Sequence, residues 1–178
     1  CEDLDILVVN YGTTDSDPGL STPDSEWHRL IDANLSGPAR LAKSVAEKMA
    51  KSDRDGKVIL FIGSIAGREA VGAPIAYSVG KSGLRVLTKL MARELAEKGV
   101  RVNLLSPGNV FFEGGRWEKK SNLEPAKIRK LIKDTVPMNR FGTPREIATV
   151  ATFMCSDRAS FMTGADVVVD GGQSLSFI

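Results

Sequence analysis

The chain has 178 residues, 42% of them hydrophobic and 26% charged, with a formal net charge of +2, the profile of a single soluble domain over residues 1–178. Acids and bases are interspersed, so charge implies neither a nucleic-acid nor a membrane partner, and the apolar stretches are strand-sized, too short for a membrane-spanning helix. The two cysteines, Cys1 and Cys155, make no metal spacing and no disulfide framework, which fits a reducing cytoplasm.

Leu4 to Val9 reads as a buried parallel strand ending in Asn10-Tyr11-Gly12. Thr13 to Ser21, rich in Asp, Ser, Gly and Pro, reads as a loop. Thr22-Pro23 opens a helix with Pro at its first position. Trp27, Leu30, Ile31, Leu35, Leu41, Val45 and Met49 form its apolar stripe, and Pro38 is expected to kink it. Val58 to Ile62 is a second buried strand, ending at Gly63-Ser64. A loop from Ala66 to Ala73 leads into a long helix from about Pro74 to Lys98, stopped by Gly99. Val100 to Leu105 is the third strand, broken by Ser106-Pro107-Gly108. Residues 109 to 123 read as irregular, and Glu124 to Val136 as a charged amphipathic helix. Thr143-Pro144-Arg145-Glu146 is a capping box opening a helix to about Ser156, and Val167 to Val169 is the last strand. Strands alternating with helices predict an α/β fold, a doubly wound parallel sheet of about four strands covered on both faces.

Tyr77 and Lys81 lie four residues apart on the long helix and therefore share a face. A tyrosine hydroxyl beside an ammonium sheds its proton more readily than a free phenol, whose pKa is about 10. That is chemistry for moving a proton on or off an alcohol or ketone oxygen. Ser64 sits at the carboxyl end of a parallel strand, where ligands bind in open α/β sheets, and is suited to polarise such an oxygen. Each residue also has a plainer reading: a packed Tyr–Lys pair, a strand exit at Ser64, an amide satisfied within its own helix at Asn34. Gly80 and Gly83 lower helix propensity and call for the close approach of a cofactor or a partner helix. His28 reads as a surface residue with no metal cluster around it.

Taken together these pieces resemble the short-chain dehydrogenase/reductase family over essentially the whole chain. Asn10 and Gly12 stand where that family has its Asn-Asn-Ala-Gly strand end. Asn34, Ser64, Tyr77 and Lys81 follow its catalytic tetrad in order and approximate spacing. Pro107-Gly108 matches its Pro-Gly turn, and Thr163-Gly164 with Asp170-Gly171-Gly172 its C-terminal signature. The resemblance implies a Rossmann-like fold and an NAD- or NADP-dependent oxidoreductase. In that scheme Tyr77 is the general acid or base, and Ser64 bonds the substrate oxygen. Lys81 lowers the phenol pKa and holds the cofactor ribose, and Asn34 positions a water. Asn10, Tyr11, Gly12, Pro107, Gly108 and Val110, with Tyr77 and Lys81, are the implied cofactor contacts. Tyr11 replaces the usual Ala of the first motif, and Phe112 stands where many members have a Thr. The segment 109–137 is then a substrate loop. Phe111, Phe112 and Trp117 either contact an apolar substrate or pack beneath the loop, and Arg116 is suited to an anionic group.

The resemblance begins at the family's fourth strand. The expectation is therefore the catalytic C-terminal part of a longer, incomplete Rossmann-like sheet, with the coenzyme preference unreadable and Leu4 to Val9 left as an apolar edge. The family's usual dimer face lies on the helices containing Asn34 and Tyr77, which implies a homodimer or homotetramer. Arg140-Phe141-Gly142-Thr143-Pro144-Arg145-Glu146-Ile147-Ala148 resembles the 3-oxoacyl-carrier-protein reductase branch. A sugar or other polar alcohol as substrate, and a non-catalytic binding or oligomerisation module, are the alternatives.

Overall fold

A computed structural model describes residues 4–16 and 19–176. Cys1 and the Asp17-Pro18 part of the first loop lie outside the described residues. Four parallel strands, β1 (Ile6–Val9), β2 (Lys57–Ile62), β3 (Val100–Pro107) and β4 (Asp166–Val169), form one sheet in the order β1-β2-β3-β4. Ile6 lies opposite Val58, Lys57 opposite Val100 and Leu104 opposite Asp166. Because side chains alternate along a strand, the apolar residues of β2 and β3 supply both faces. Ile59, Phe61, Val102 and Leu104 pack with Ala42, Met49 and Leu84 on one side. Leu60 and Leu105 pack with Met154, Ile147 and Val150 on the other. The expected two-sided parallel α/β sheet is the observed one.

β1 departs from its reading as a buried strand. Ile6 and Val8 are each 46% exposed while Val9 is buried, and among the described residues β1 pairs with β2 alone.

The first helical stretch is segmented: α1 (Asp24–Ile31), a π-turn (Asp32–Ser36) and α2 (Gly37–Met49). Pro23 precedes α1 as its cap rather than occupying its first position. Pro38 falls in the first turn of α2, where its missing N–H costs little. The widened turn ahead of it carries the expected irregularity, as π-bulges do. α3 (Ile75–Leu95) runs into a short 3₁₀ turn and stops at Gly99, whose φ of +67° is the left-handed conformation glycine adopts cheaply.

Residues 116–123 contradict the irregular reading of 109–123, because Arg116–Leu123 forms helix α4. None of its residues is buried, so it has no apolar period to betray it. α5 (Pro125–Thr135) follows, with Ile128 and Ile132 buried one turn apart. α6 (Pro144–Cys155) opens with both halves of the expected capping box between Thr143 and Glu146.

Candidate active site

Ser64 leaves β2 in an extended conformation and caps a 3₁₀ turn, Ile65–Gly67. Its Oγ accepts from the Ala66 N–H at 3.1 Å, which leaves the hydroxyl proton free to be donated elsewhere. The Ser64 hydroxyl lies near enough to the phenol of Tyr77, in the first turn of α3, to favour its ionised form. One turn on, the buried Lys81 places Nζ 5.8 Å from the Tyr77 ring centroid and donates to the Ile62 carbonyl at 2.9 Å. Gly67 permits this meeting: a Cβ there would lie 2.7 Å from the Lys81 backbone carbon. The turn bearing Ser64 therefore lies directly on the helix turn bearing Lys81.

Asn34 is fully buried in the π-turn. Its Nδ2 donates to the Leu30 carbonyl at 2.9 Å and the Thr13 carbonyl at 2.8 Å, and its Oδ1 accepts from the Thr13 N–H at 3.2 Å. The segment after β1 is thus tied to the joint between α1 and α2. At Gly12, φ is +156° and a Cβ would fall 2.5 Å from Asn34 Oδ1 and 3.2 Å from Lys81 Nζ. A larger residue would be strained there and would fill the space beside the ammonium. Asn34, Ser64, Tyr77 and Lys81 are thereby gathered at the carboxyl ends of β1 and β2, with Asn10 and Tyr11 exposed beside them.

Electrostatics at this cluster differ from the expectation of an acidified phenol. Burial pushes the Tyr77 phenol above its ordinary value, while the neighbouring Ser64 hydroxyl and the Arg116 charge pull it partway back. Burial also brings the Lys81 ammonium down to about 8. An ammonium held this weakly is a poor acidifier of its neighbour.

The end of β3 is locked to the C-terminal signature. The Gly108 N–H donates to the Val169 carbonyl at 3.0 Å, and a Cβ on Gly108 would lie 2.6 Å from that of Asp170. The Asp170 carboxylate accepts from the Gly172 and Ser174 N–H groups and the Ser174 hydroxyl. Burial raises its pKa, but those bonds outweigh it and leave the group below its ordinary value. The Asn109 N–H donates to Gln173 Oε1, and Val110 bridges to Gly142. These bonds hold Pro107, Gly108 and Val110 in place beside the cluster. A nicotinamide nucleotide suits this set of residues: Gly12 leaves a cradle that a Cβ would close, and Lys81 keeps N–H donors beyond the one bound to Ile62.

The loop residues divide. Phe111 and Trp117 pack on Phe141, with ring centroids 5.6 and 5.5 Å apart, so packing describes these two rings. Phe112 is 52% exposed. Arg116 donates from Nη1 to the Thr14 carbonyl at 2.6 Å, a contact across 102 residues that nothing in side-chain pattern reveals, since the acceptor is backbone.

Sequence reading also missed the ion cluster behind Ser64. Asp166 receives Arg68 at 2.6 Å, Arg85 at 2.9 Å and the Ser106 hydroxyl at 2.6 Å. A lone acid at the head of a short strand gives no signal of such a partner set. His28 is exposed, as expected, and among the described residues no group of side chains is placed to hold a metal ion.

Residues 1–174 match a family profile described as enoyl-(acyl carrier protein) reductase. The chain is 39% identical over 178 residues to dehydrogenase/reductase SDR family member 4 of Bos taurus, spanning 98% of this chain and 61% of that protein. It is 37% identical over 170 residues to the 3-oxoacyl-(acyl-carrier-protein) reductase FabG of Escherichia coli K12, spanning 96% of this chain and 66% of that one. A solved structure, 4-hydroxyisoleucine dehydrogenase complexed with NADH, superimposes with a TM-score of 0.84 at 31% identity, over 96% of this chain and 69% of the other.

Proposed function

The chain belongs to the short-chain dehydrogenase/reductase family, and from that membership we propose that it carries the catalytic machinery of an NAD(P)-dependent oxidoreductase interconverting a ketone and a secondary alcohol. The observation that carries the reading is the Ser64–Tyr77 hydroxyl pair above buried Lys81 at the strand ends. In reduction the Tyr77 phenol gives its proton to the substrate oxygen, and in oxidation its phenolate takes one. The Ser64 hydroxyl donates to that same oxygen and fixes it against Tyr77. Lys81 would supply N–H donors to the coenzyme's ribose hydroxyls, and Asn34 holds Thr13 and with it the Gly12 segment in place. Asn10, Tyr11, Gly12, Pro107, Gly108 and Val110 would hold the nicotinamide end of the coenzyme. A nicotinamide, when bound, supplies or accepts the hydride.

The substrate we favour is a 3-oxoacyl thioester. The likeness to the Escherichia coli reductase supports this, as does the half-exposed Phe112, which offers apolar surface to an acyl chain. A second copy of the chain is the proposed partner. Val79, Val86 and Leu90, exposed at helical spacing on α3, and Leu41 on α2 form an apolar face suited to one. The proposal is tested by incubating the intact protein with a 3-oxoacyl thioester and NADPH or NADH, and following coenzyme oxidation. Saturable turnover abolished by Tyr77→Phe is expected; a folded protein that binds coenzyme yet reduces no ketone overturns the reading.

A further inference from the structure

Two segments frame the reaction centre without a sheet contact between them: the one leaving β1 through Gly12, Thr13 and Thr14, and the one leaving β3 toward α4. They are joined by Arg116, the first residue of α4, whose guanidinium donates to the Thr14 carbonyl at 2.6 Å. Gly114 (φ +76°) and Gly115 deliver the chain to this position. A Cβ on Gly115 would lie 2.9 Å from the Phe112 carbonyl oxygen, so the approach is tight. Thr13, next in the chain to Thr14, is held by Asn34.

We infer that Arg116 is a positioning residue of this site, a latch that clamps the β3–α4 segment to the β1 exit and sets a fixed positive charge beside Tyr77. The inference rests on the oxidoreductase reading of the cluster and adds a second cation to it. Among the described residues, Tyr77 is met by Ser64 from the β2 exit, by Lys81 of its own helix, whose Nζ lies 5.8 Å from the ring centroid, and by the charge of Arg116 from α4. Of the two cations, Arg116 is the one that pulls the phenol down against burial. The reason is chemical: a guanidinium stays charged at any working pH, whereas buried Lys81 is held only to about 8.

The test compares Arg116→Ala and Arg116→Lys in the intact protein with two readouts. The first is amide hydrogen exchange. Loss of this charge-assisted bond is expected to speed exchange in residues 11–16 and 109–123 by about tenfold or more in Arg116→Ala. The second is the ultraviolet titration of Tyr77, taken as the difference between each protein and its Tyr77→Phe counterpart. Its midpoint is expected to rise in Arg116→Ala and to return toward the parent value in Arg116→Lys, which keeps the charge. A latch with no bearing on Tyr77 would leave the midpoint unmoved, and a residue that does not latch would leave exchange unmoved; either result overturns the inference. Neither readout needs turnover, so a protein inactive on every ketone tried would count against the oxidoreductase reading while leaving this one measurable.

Discussion

The Asn34 side chain pairs with the Thr13 backbone in both directions, Nδ2 to carbonyl at 2.8 Å and N–H to Oδ1 at 3.2 Å, as a neighbouring strand would. Asn34 is fully buried, and it also satisfies the Leu30 carbonyl in its own helical stretch. Asn34→Ala leaves the buried Leu30 carbonyl and the half-buried Thr13 groups without this partner. Each unsatisfied buried group costs about 1–3 kcal/mol, so a loss of about 3 kcal/mol is expected in denaturant unfolding. Asn34→Asp is expected to cost more at neutral pH, since a carboxylate would face two carbonyl oxygens. A carboxyl so placed has its folded pKa raised, so its penalty should shrink as pH falls and the acid form regains a donor. A deficit in Asn34→Asp that is flat across the carboxylate range would refute this account.

Tyr77→Phe removes the proton carrier while keeping the ring over Lys81. A loss on the order of 10² to 10⁴ in kcat is expected if general acid–base catalysis has its usual size, with coenzyme binding little changed. Because burial raises the phenol, it stays protonated at neutral pH. Reduction, which needs the acid form, should therefore keep its rate until the solution is clearly alkaline. Near-parent turnover in Tyr77→Phe would remove Tyr77 from the mechanism.

The candidate cluster is legible in the sequence because its parts are punctuated by the fold. Ser64 follows a five-residue apolar run, and Tyr77 and Lys81 stand at helical spacing. What escaped was carried by backbone acceptors and by context. The Ile62 and Thr14 carbonyls that receive Lys81 and Arg116 have no side-chain signature. α4 is hidden because a helix with no fully buried residue shows no apolar period. The sign of the Tyr77 shift escapes the sequence for a related reason: spacing reveals a neighbouring charge but not the burial that opposes it.

Lys81 gives a pH signature that does not depend on activity. Its folded pKa of about 8 lies below the ordinary lysine value of 10.5. Between those values the unfolded chain binds more protons, so stability rises with pH across this window. The stabilising effect is complete above the unfolded pKa and is lost as pH falls through the folded one. At one pKa unit per 1.36 kcal/mol, the swing is on the order of 3 kcal/mol. Lys81→Met should flatten the rise, and at pH 7 it should be no less stable than the parent, since it removes a buried charge. Unfolding curves at neutral pH and near pH 10 would check this; equal slopes in parent and variant would show that Lys81 titrates normally.

Gly80 and Gly83 separate close packing from helix propensity. On an exposed helix, Gly→Ala gains about 1 kcal/mol. At Gly80 the new methyl would lie 2.9 Å from Asn34 Cβ and 3.5 Å from the Asn34 carbonyl carbon. Those atoms are fixed by the three hydrogen bonds that hold Asn34, so α3 itself must move. Overpacking of this kind typically costs about 1–3 kcal/mol, and Gly80→Ala is expected to destabilise despite its better propensity. At Gly83 the methyl would meet the Leu35 side chain, 2.7 Å from Cδ2, 2.9 Å from Cδ1 and 3.4 Å from Cγ. Leu35 is partly exposed and can turn to another rotamer, so Gly83→Ala should come out within about 1 kcal/mol of neutral. Gly80→Ala should also cost turnover, because the shift displaces Asn34 and with it the Gly12–Thr13 segment, whereas Gly83→Ala should not. Thermal unfolding of the two variants side by side decides the matter: equal effects would mean that α3 does not bear on Asn34 as tightly as the geometry requires.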